Sequence, residues 1–325
     1  MIVALEEDRA LTLGAYLAEW LAHVRTRVRP TTYEGYEALI RRHIAPHLGA
    51  VLLRDLRPLH LQRLYSALLS PEQGRALSAG TVLNAHLVAT QALSQAVRWE
   101  LISASPAAGA QPPRPRRPER AGIDASLAAT ILAAAEGSPI ECAVALAIST
   151  GMRRGEILAL CWSEVDMAAP SLRVRRSLQP TSSGLVFAEP KTRRSRRTIA
   201  LPRLVLPYLE RQKADQEARR ASCGKAWSDL DLVIDRGDGH PTNPDSFSSA
   251  WRGLVRKAGL PHVRFHDLRH AHATLMLLQG VHPKVVSERL GHASVGITLD
   301  TYSHVLPSMQ VGAAAAVDEI FGTAS

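Results

Sequence analysis

The chain has 325 residues, of which 46% are hydrophobic and 21% charged, a composition typical of folded proteins and a length that accommodates two domains. Its 39 Lys and Arg side chains outnumber 30 Asp and Glu, and the net charge of +9 favours a polyanionic partner. No apolar run approaches the roughly 18 residues that a membrane span requires. The acidic N-terminus lacks the layout of a signal peptide, and three widely spaced cysteines form no metal knuckle, so we expect a cytoplasmic protein.

Apolar spacing in residues 1–102 predicts a domain made of helices, without strand-like alternation. Four helices are expected, at residues 13–24, 31–48, 58–69 and 78–101. The second carries Thr31 and Glu34 at the spacing of a capping box, directly after Pro30. We therefore expect it to begin at Thr31.

Residues 103–120 have a different composition from both flanks. Their sequence, SASPAAGAQPPRPRRPER, contains five prolines, which forbid a regular helix, and four arginines against one glutamate. We therefore divide the chain into a helical domain (1–102), a basic linker (103–120) and a second domain (121–325). Arg114, Arg116 and Arg117 could follow a phosphate backbone, and a solvated spacer is the alternative.

The second domain is predicted to be mostly helical with one small sheet. Helices are expected at residues 126–136 and 140–150. Three strands follow at residues 172–178, 184–187 and 198–201, and together they would form the sheet. The chain then returns to helices until its end.

Four short segments of the second domain concentrate arginine, histidine and glycine. They are Ser149–Glu156 (STGMRRGE), Lys191–Arg197 (KTRRSRR), His266–His270 (HDLRH) and Leu290–His292 (LGH), and Tyr302 follows ten residues after the last. Taken singly, each has a structural interpretation, such as a surface arginine, a solvated hairpin tip or a core tyrosine. The two histidines of HDLRH have the i,i+4 spacing of metal ligands, but the HExxH glutamate is missing, so we expect no metal.

Taken together, the order of these segments closely resembles the tyrosine recombinases, or phage integrases, over nearly the whole chain. That family carries an Arg in a TGxR segment, a Lys in a β-hairpin, an HxxR helix, a His or Trp in an LGH-like turn and then a Tyr. The matching residues are Arg153, Lys191, His266, Arg269, His292 and Tyr302. The resemblance implies a mainly α fold with a small β-sheet, in which a helical, SAM-like core-binding domain precedes an α+β catalytic domain.

The resemblance also implies how these residues cut DNA. Tyr302 would attack the phosphodiester and keep the strand end as a 3′-phosphotyrosine. Arg153 and Arg269 would hold the non-bridging oxygens and stabilise the charge that develops on them. Lys191 would protonate the departing 5′ oxygen, and His266 would assist proton transfer at the tyrosine.

The remaining site residues are expected to support this reaction. His292 would hydrogen-bond the phosphate, and Glu156 would orient Arg153. No metal, ATP or other cofactor is expected, because the arginines supply the positive charge and the phosphotyrosine bond conserves the energy for religation. The basic hairpin is expected to contact DNA through Arg193, Arg194, Arg196 and Arg197.

The resemblance further implies the partners. The substrates would be double-stranded DNA attachment sites, joined through a Holliday junction by a homo-tetramer in the nucleoid. Val317, Ile320 and Phe321 form an apolar stripe at i, i+3 and i+4, and such a terminal helix docks onto a neighbouring protomer in the family. A helix folded back on its own domain is the alternative. An accessory DNA-bending or excision factor could set the direction of the reaction.

Two other functions stay open at the level of the sequence. A type IB topoisomerase shares the same catalytic residue types, and a DNA-binding remnant would keep the fold without cutting. Many integrases carry a further N-terminal domain for arm sites, whereas few residues precede the first predicted helix here. We therefore expect either a simple recombinase without arm sites or a truncated gene start.

Overall fold

The computed structural model describes residues 10–70, 76–115, 122–189, 196–302, 314 and 317–322, with backbone only for residues 300–302. The chain divides into two compact units, Met1–Arg120 and Ala121–Ser325. The division falls at the C-terminal end of the predicted linker. Each unit has its own hydrophobic core.

The first unit is built from helices. Its main helices are α1 (Leu13–Val24), α2 (Pro30–Leu39), α3 (Pro58–Leu69) and α4 (Ala79–Arg98). The hydroxyls of Thr12 and Ser78 accept hydrogen bonds from the first turns of α1 and α4, which explains where these helices begin. The aromatic side chains of Tyr16, Trp20 and Tyr65 lie in the core of this unit.

The second helix differs from its prediction. It begins at Pro30 with Arg29 as the N-cap, one residue before the predicted start at Thr31. After α2 the chain makes a π-helical turn over Ile40–Ile44 and a last α-helical turn over Ala45–Leu48. Pro46 explains the wider turn, because a proline ring collides with the carbonyl four residues earlier in a regular helix.

Part of the predicted linker packs onto the first unit. Residues Pro106–Gly109 form a 3-10 turn, and Ala107 and Ala110 are buried in the helical core. The backbone N–H of Gln111 donates to the side-chain oxygen of Gln62 on α3 (3.1 Å). Short alanine side chains allow this segment to approach α3 and α4, so it is more than a solvated spacer.

Besides a short helical stretch at residues 317–321, the second unit contains eight further α-helices among its described residues. They are α5 (Ala125–Ala135), α6 (Glu141–Thr150), α7 (Arg154–Ile157), α8 (Leu206–Cys223), α9 (Pro244–Lys257), α10 (Phe265–Leu278), α11 (Pro283–Leu290) and α12 (Val295–Tyr302). Helix α6 is buried on nearly every side. Among the described helices of both units, none combines the length and apolar character that a membrane crossing requires.

The strands form two small antiparallel sheets rather than the single predicted sheet. They are β1 (Val165–Asp166), β2 (Ser171–Val174), β3 (Ser177–Thr181), β4 (Gly184–Ala188) and β5 (Arg197–Ala200). One sheet has the order β1-β2-β5, and β3 pairs with β4 as a separate hairpin.

The predicted strand 172–178 is interrupted at Arg175 and Arg176. The Nε of Arg176 donates to the carbonyl of Ala159 (3.0 Å), and its guanidinium lies over the ring of Phe187, 4.4 Å from the centroid. These contacts turn the chain between β2 and β3. The prediction of one continuous strand was therefore wrong.

Candidate active site

The TGMR segment sits where three helices meet. Helix α6 ends at Thr150, and Gly151 follows in the left-handed conformation (φ 67°), which glycine adopts without strain. A Cβ at Gly151 would lie 2.8 Å from Cδ2 of His272 on α10 and 2.6 Å from Cδ2 of Leu290 on α11. This close approach places Arg153 beside the ends of α10 and α11.

Glu156 holds two arginines from different parts of the chain. Its carboxylate accepts from the backbone N–H of Arg153 (2.9 Å), from Arg153 Nη1 (2.8 Å) and from Arg197 Nη2 (2.9 Å). Burial alone would raise the pKa of this carboxyl, but the charges and hydrogen bonds of Arg197 and Arg153 outweigh it and lower the pKa to about 2. Glu156 is therefore ionised at neutral pH and fixes the direction of the Arg153 side chain.

Three consecutive carbonyls at the C-terminal end of α11 each accept a hydrogen bond from an arginine. The pairs are Arg197 Nε with Arg289 O (2.7 Å), Arg269 Nη2 with Leu290 O (2.8 Å) and Arg153 Nη2 with Gly291 O (3.4 Å). Helix C-termini carry unsatisfied carbonyls and a partial negative charge, so guanidinium groups suit this position. The LGH turn is thereby attached to the TGMR segment, the HDLRH helix and strand β5.

Helix α10 begins where its own sequence provides a cap. The Asp267 carboxylate accepts from the backbone N–H of Arg264 (2.9 Å), as expected for an acidic residue in the first helical turn. The rings of His266 and His270 meet edge to face, with centroids 5.0 Å apart. Arg269 points inward, only 3% exposed, and its Nη1 donates to the carbonyl of Gly151 (2.7 Å).

Two histidines of the site are neutral at pH 7. His266 is exposed to solvent on one side, yet the atoms packed around its ring and the nearby His270 and Arg269 lower its pKa to about 4. Burial, followed by the charges of Arg269 and Arg153, also lowers the pKa of His292 to about 4. The charges of Arg153 and Arg269 act on both rings, which places both histidines near these two arginines.

His292 is tied to the helix that carries the predicted nucleophile. Its Nδ1 lies 2.7 Å from Oγ1 of Thr298, which is fully buried on α12. Tyr302 is the last residue of α12, four residues after Thr298, and its backbone lies one turn further along the same helix.

A fourth arginine, Arg289, joins the elements behind the site. Its Nε donates to His272 Nε2 (3.1 Å), its Nη1 to the carbonyl of Ala200 (3.0 Å) and its Nη2 to the carbonyl of Ser149 (2.9 Å). His272 Nδ1 lies 2.9 Å from the carbonyl of Ile148, so the proton of this ring is on Nδ1 and Nε2 accepts. Arg289 thus bonds α11 to α6, β5 and α10.

The structure gathers part of the predicted site into one hydrogen-bonded group. Arg153, Glu156 and Arg269 converge on the turn that carries His292, and His266 lies within their electrostatic influence. Five predicted site residues lie outside the described residues: Lys191, Arg193 and Arg194 of the KTRRSRR segment, and Arg116 and Arg117 of the linker. The flanking strands β4 and β5 belong to different sheets, so they do not pair as the predicted hairpin. Arg114 and Arg196 are exposed, and Arg196 pairs with Glu189 (2.7 Å).

Arg197 departs from its predicted role as a DNA contact. Its side chain is 6% exposed and forms an ion pair with the 4% exposed side chain of Glu156. A guanidinium held by a buried carboxylate and by the carbonyl of Arg289 does not face solvent. The sequence-based assignment of Arg197 as a DNA contact was wrong. Charge runs usually lie at the surface, but Arg197 is the first residue of strand β5, and its side chain turns inward to Glu156.

Three further residues of the site were missed from the sequence: His272, Arg289 and Thr298. Thr298 had a detectable signal, since it precedes Tyr302 by four residues and so shares its helix face. His272 and Arg289 carried none, because their contact joins helices that are separated in the chain. Within the described ranges, no three His, Cys, Asp or Glu side chains cluster closely enough to hold a metal ion.

Two sequence models of protein families match the chain. The model of the Phage integrase family matches residues 123–309, more than half of the chain. The chain belongs to the phage integrase family. The model "Phage integrase, N-terminal SAM-like domain" matches residues 12–69 of the first unit. This integrase-family chain is a site-specific recombinase of the tyrosine type, an enzyme that breaks and rejoins DNA.

Curated relatives agree with this membership. A "Tyrosine recombinase XerC-like" protein of Caldanaerobacter subterraneus is 27% identical over 96% of this chain and 84% of its own length. The ICEBs1 integrase of Bacillus subtilis is 33% identical over 54% of this chain and 47% of its own length.

Solved structures show the same fold. The Tn1549 transposon integrase in complex with a circular intermediate DNA has a TM-score of 0.77 at 19% identity, covering 90% of this chain and 95% of that one. A lambda integrase tetramer bound to a Holliday junction has a TM-score of 0.64 at 18% identity, covering 90% of this chain and 80% of that one.

Proposed function

We propose that this integrase cuts DNA with Tyr302 beside Arg153, Arg269, His266 and His292. The observation that carries the proposal is the convergence of two arginines on one turn: Arg153 and Arg269 donate to the carbonyls of Gly291 and Leu290, directly before His292. His292 is in turn bonded to Thr298 on the helix of Tyr302, and guanidinium groups gathered in this way suit a phosphodiester. Arg153 is half exposed and held in direction by Glu156, which prepares it to meet a phosphate without reorganisation.

Each step of the proposed reaction has a donor and an acceptor. The Oη of Tyr302 forms a bond to the phosphorus, and the bond from phosphorus to the 5′ oxygen breaks. A tyrosine hydroxyl ordinarily has a pKa of about 10, so it needs a proton acceptor. His266 serves this purpose, because its pKa of about 4 leaves it unprotonated at pH 7. Lys191 gives a proton to the departing 5′ oxygen, and religation reverses these transfers.

The wider assembly is part of the same proposal. The substrates are duplex attachment sites in the nucleoid, and two rounds of strand exchange pass through a Holliday junction. Basic residues outside the catalytic group would contact phosphates: Arg114, Arg116, Arg117, Arg193, Arg194 and Arg196. Four protomers would associate through the C-terminal residues 317–321, which are helical and exposed. An accessory DNA-bending or excision factor would choose between integration and excision.

A covalent trap tests the proposed nucleophile. Nicked duplexes made from the DNA that flanks the gene would be incubated with the protein, and adducts that survive denaturant would be counted on a gel. We expect an adduct with the wild type and none with Tyr302→Phe. The control is Tyr208→Phe, which removes a hydroxyl from a tyrosine on α8 that lies under Arg211.

The outcomes separate cutting by Tyr302 from two alternatives, a different nucleophile and a protein that binds DNA without cutting it. An adduct that persists in Tyr302→Phe would assign the nucleophile to another residue. Specific binding of the flanking DNA by the wild type, without any adduct, would favour a protein that binds and does not cut.

A further inference from the structure

Thr298 lies next to the proposed catalytic residues but has no role in the reaction described above. It is fully buried, it lies on α12 one helical turn before Tyr302, and its hydroxyl meets Nδ1 of His292 at 2.7 Å. A buried hydroxyl in a short hydrogen bond to a site residue is held in one orientation. Thr298 is therefore placed to act on His292 and on the helix of the nucleophile together.

The hydrogen bond matters because a neutral imidazole has one N–H. The ring nitrogen that carries it is set by the bond that the other nitrogen makes. If the Thr298 hydroxyl donates to Nδ1, the proton of His292 lies on Nε2. A phosphate oxygen only accepts hydrogen bonds, so His292 contributes to phosphate binding through Nε2–H in this arrangement alone.

We propose that Thr298 is a positioning residue: its hydroxyl donates to His292 Nδ1, which keeps the imidazole proton on Nε2 for the scissile phosphate and fixes the ring to the helix of Tyr302. This rests on the proposed function of the site. Thr298 itself touches neither DNA nor the reacting atoms, and its effect passes through His292.

The first test reads the tautomer directly. Full-length protein with 15N-labelled histidine would be studied by NMR, with His292 assigned from the His292→Phe variant. We expect the Nε2–H form in the wild type and in Thr298→Ser, which keeps the hydroxyl. In Thr298→Val, which has the same shape without a donor, Nδ1–H should become populated. The control is Thr130→Val on α5, whose hydroxyl bonds only within its own helix.

The second test reads the reaction. Loss of an oriented donor to the phosphate typically costs roughly 10²-fold in rate. We therefore expect Thr298→Val to slow adduct formation by about that factor, and Thr298→Ser to restore the rate. The Kd for DNA should change far less than the rate, because His292 supplies one phosphate contact among many. Introduced into His292→Phe, Thr298→Val should cause no further loss, because the two residues act as one unit.

Several outcomes would overturn the proposal. These are an unchanged tautomer in Thr298→Val, a full rate in that variant, or an additive loss on top of His292→Phe, which would assign Thr298 a purely structural effect. Should Thr298→Val not fold, Thr298→Cys keeps the volume with a weaker donor and should give an intermediate tautomer ratio. If the wild type forms no adduct, the proposed function fails, while the NMR result still decides the hydrogen bond.

Discussion

At the scale of single residues, the ion pairs of Glu156 make the site sensitive to one substitution. Glu156→Gln keeps the size of the side chain but leaves the buried guanidinium of Arg197 without this counter-charge, and breaking a buried pair costs about 3–5 kcal/mol. We expect the free energy of unfolding in urea to fall by that amount. Adduct formation should fall as well, because Arg153 loses the group that directs it.

A matched substitution at the surface distinguishes the buried pair from ion pairs in general. Glu141 pairs with Arg211 at 2.6 Å, but the Arg211 side chain is 52% exposed. Solvent screens such a pair, so Glu141→Gln should cost less than about 1 kcal/mol and leave adduct formation unchanged. Equal losses in the two variants would contradict the assignment of Glu156 as a positioning residue.

A second prediction at this scale concerns pH. Burial and the charge of Arg289 lower the pKa of His272 from 6.5 to about 4. Between these values the unfolded chain binds a proton that the folded chain does not, so stability falls as the pH falls from 6.5 to 4. The shift corresponds to about 3 kcal/mol, lost progressively through this window.

Urea unfolding of His272→Phe from pH 7 to 4 checks this assignment. The variant should be less stable at pH 7, since the Nε of Arg289 and the carbonyl of Ile148 lose a partner. Its stability should also depend less on pH in this window. We expect the dependence of stability on pH to become weaker and not to vanish. His266 and His292 also have lowered pKa values, so they make the folded state less stable as the pH falls. A slope equal to that of the wild type would place the titration elsewhere.

Contacts between residues close in the sequence could be predicted, whereas contacts between distant residues could not. Arg153 and Glu156 are three residues apart at the start of a helix, and this spacing, together with the family resemblance, led to the prediction that Glu156 orients Arg153. The ion pair of Arg197 with Glu156 joins positions 41 residues apart, and the contact of Arg289 with Ser149 joins positions 140 apart. Such contacts depend on how helices and strands pack against each other, and this packing cannot be deduced from a single sequence.

At the scale of elements, two helices of the site end in left-handed glycines, Gly151 and Gly291. Gly151→Ala would place a methyl group against His272 and Leu290, in addition to the cost of a left-handed alanine. We expect a loss of roughly 2–5 kcal/mol on thermal or urea unfolding.

Gly137 provides the control for that substitution. It has nearly the same backbone angle (φ 70°), and a Cβ there would meet nothing within 4 Å. Gly137→Ala therefore measures the backbone term alone, about 1–2 kcal/mol. If the two variants lost the same stability, the contact between the added methyl group and the side chains of α10 and α11 would cost nothing, and the close packing of α6 on these helices would not require glycine.

The elements themselves were predicted well where their cause is local. Apolar periodicity predicted α1 and α3 at the bounds that the structure has. The split between β2 and β3 could not be predicted, because it depends on Arg176 reaching Ala159 and Phe187 in other segments. The 3-10 turn at Pro106–Gly109 was missed for a similar reason, since proline content argued for an extended linker while burial of two alanines fixes a compact one.

At the scale of the whole molecule, the proposed assembly depends on apolar side chains that the single chain leaves in solvent. Val317, Ile320 and Phe321 are 52%, 75% and 77% exposed. Exposed apolar stripes of this kind commonly mark contacts with another protein. Their replacement by serine in one triple variant should leave the unfolding temperature and the binding of a single DNA site unchanged. It should reduce complexes with several protomers on DNA that carries two sites, measured by native mass spectrometry.

The control for this last prediction is Leu204→Ser, which removes a 54% exposed leucine from another part of the second unit. It should leave assembly intact, because an isolated exposed leucine is ordinary on a protein surface. A triple variant that assembles normally but unfolds at a lower temperature would support the alternative of a terminal helix packed on its own domain. In that case the buried apolar area would stabilise the monomer, and the contacts between protomers would have to come from another surface.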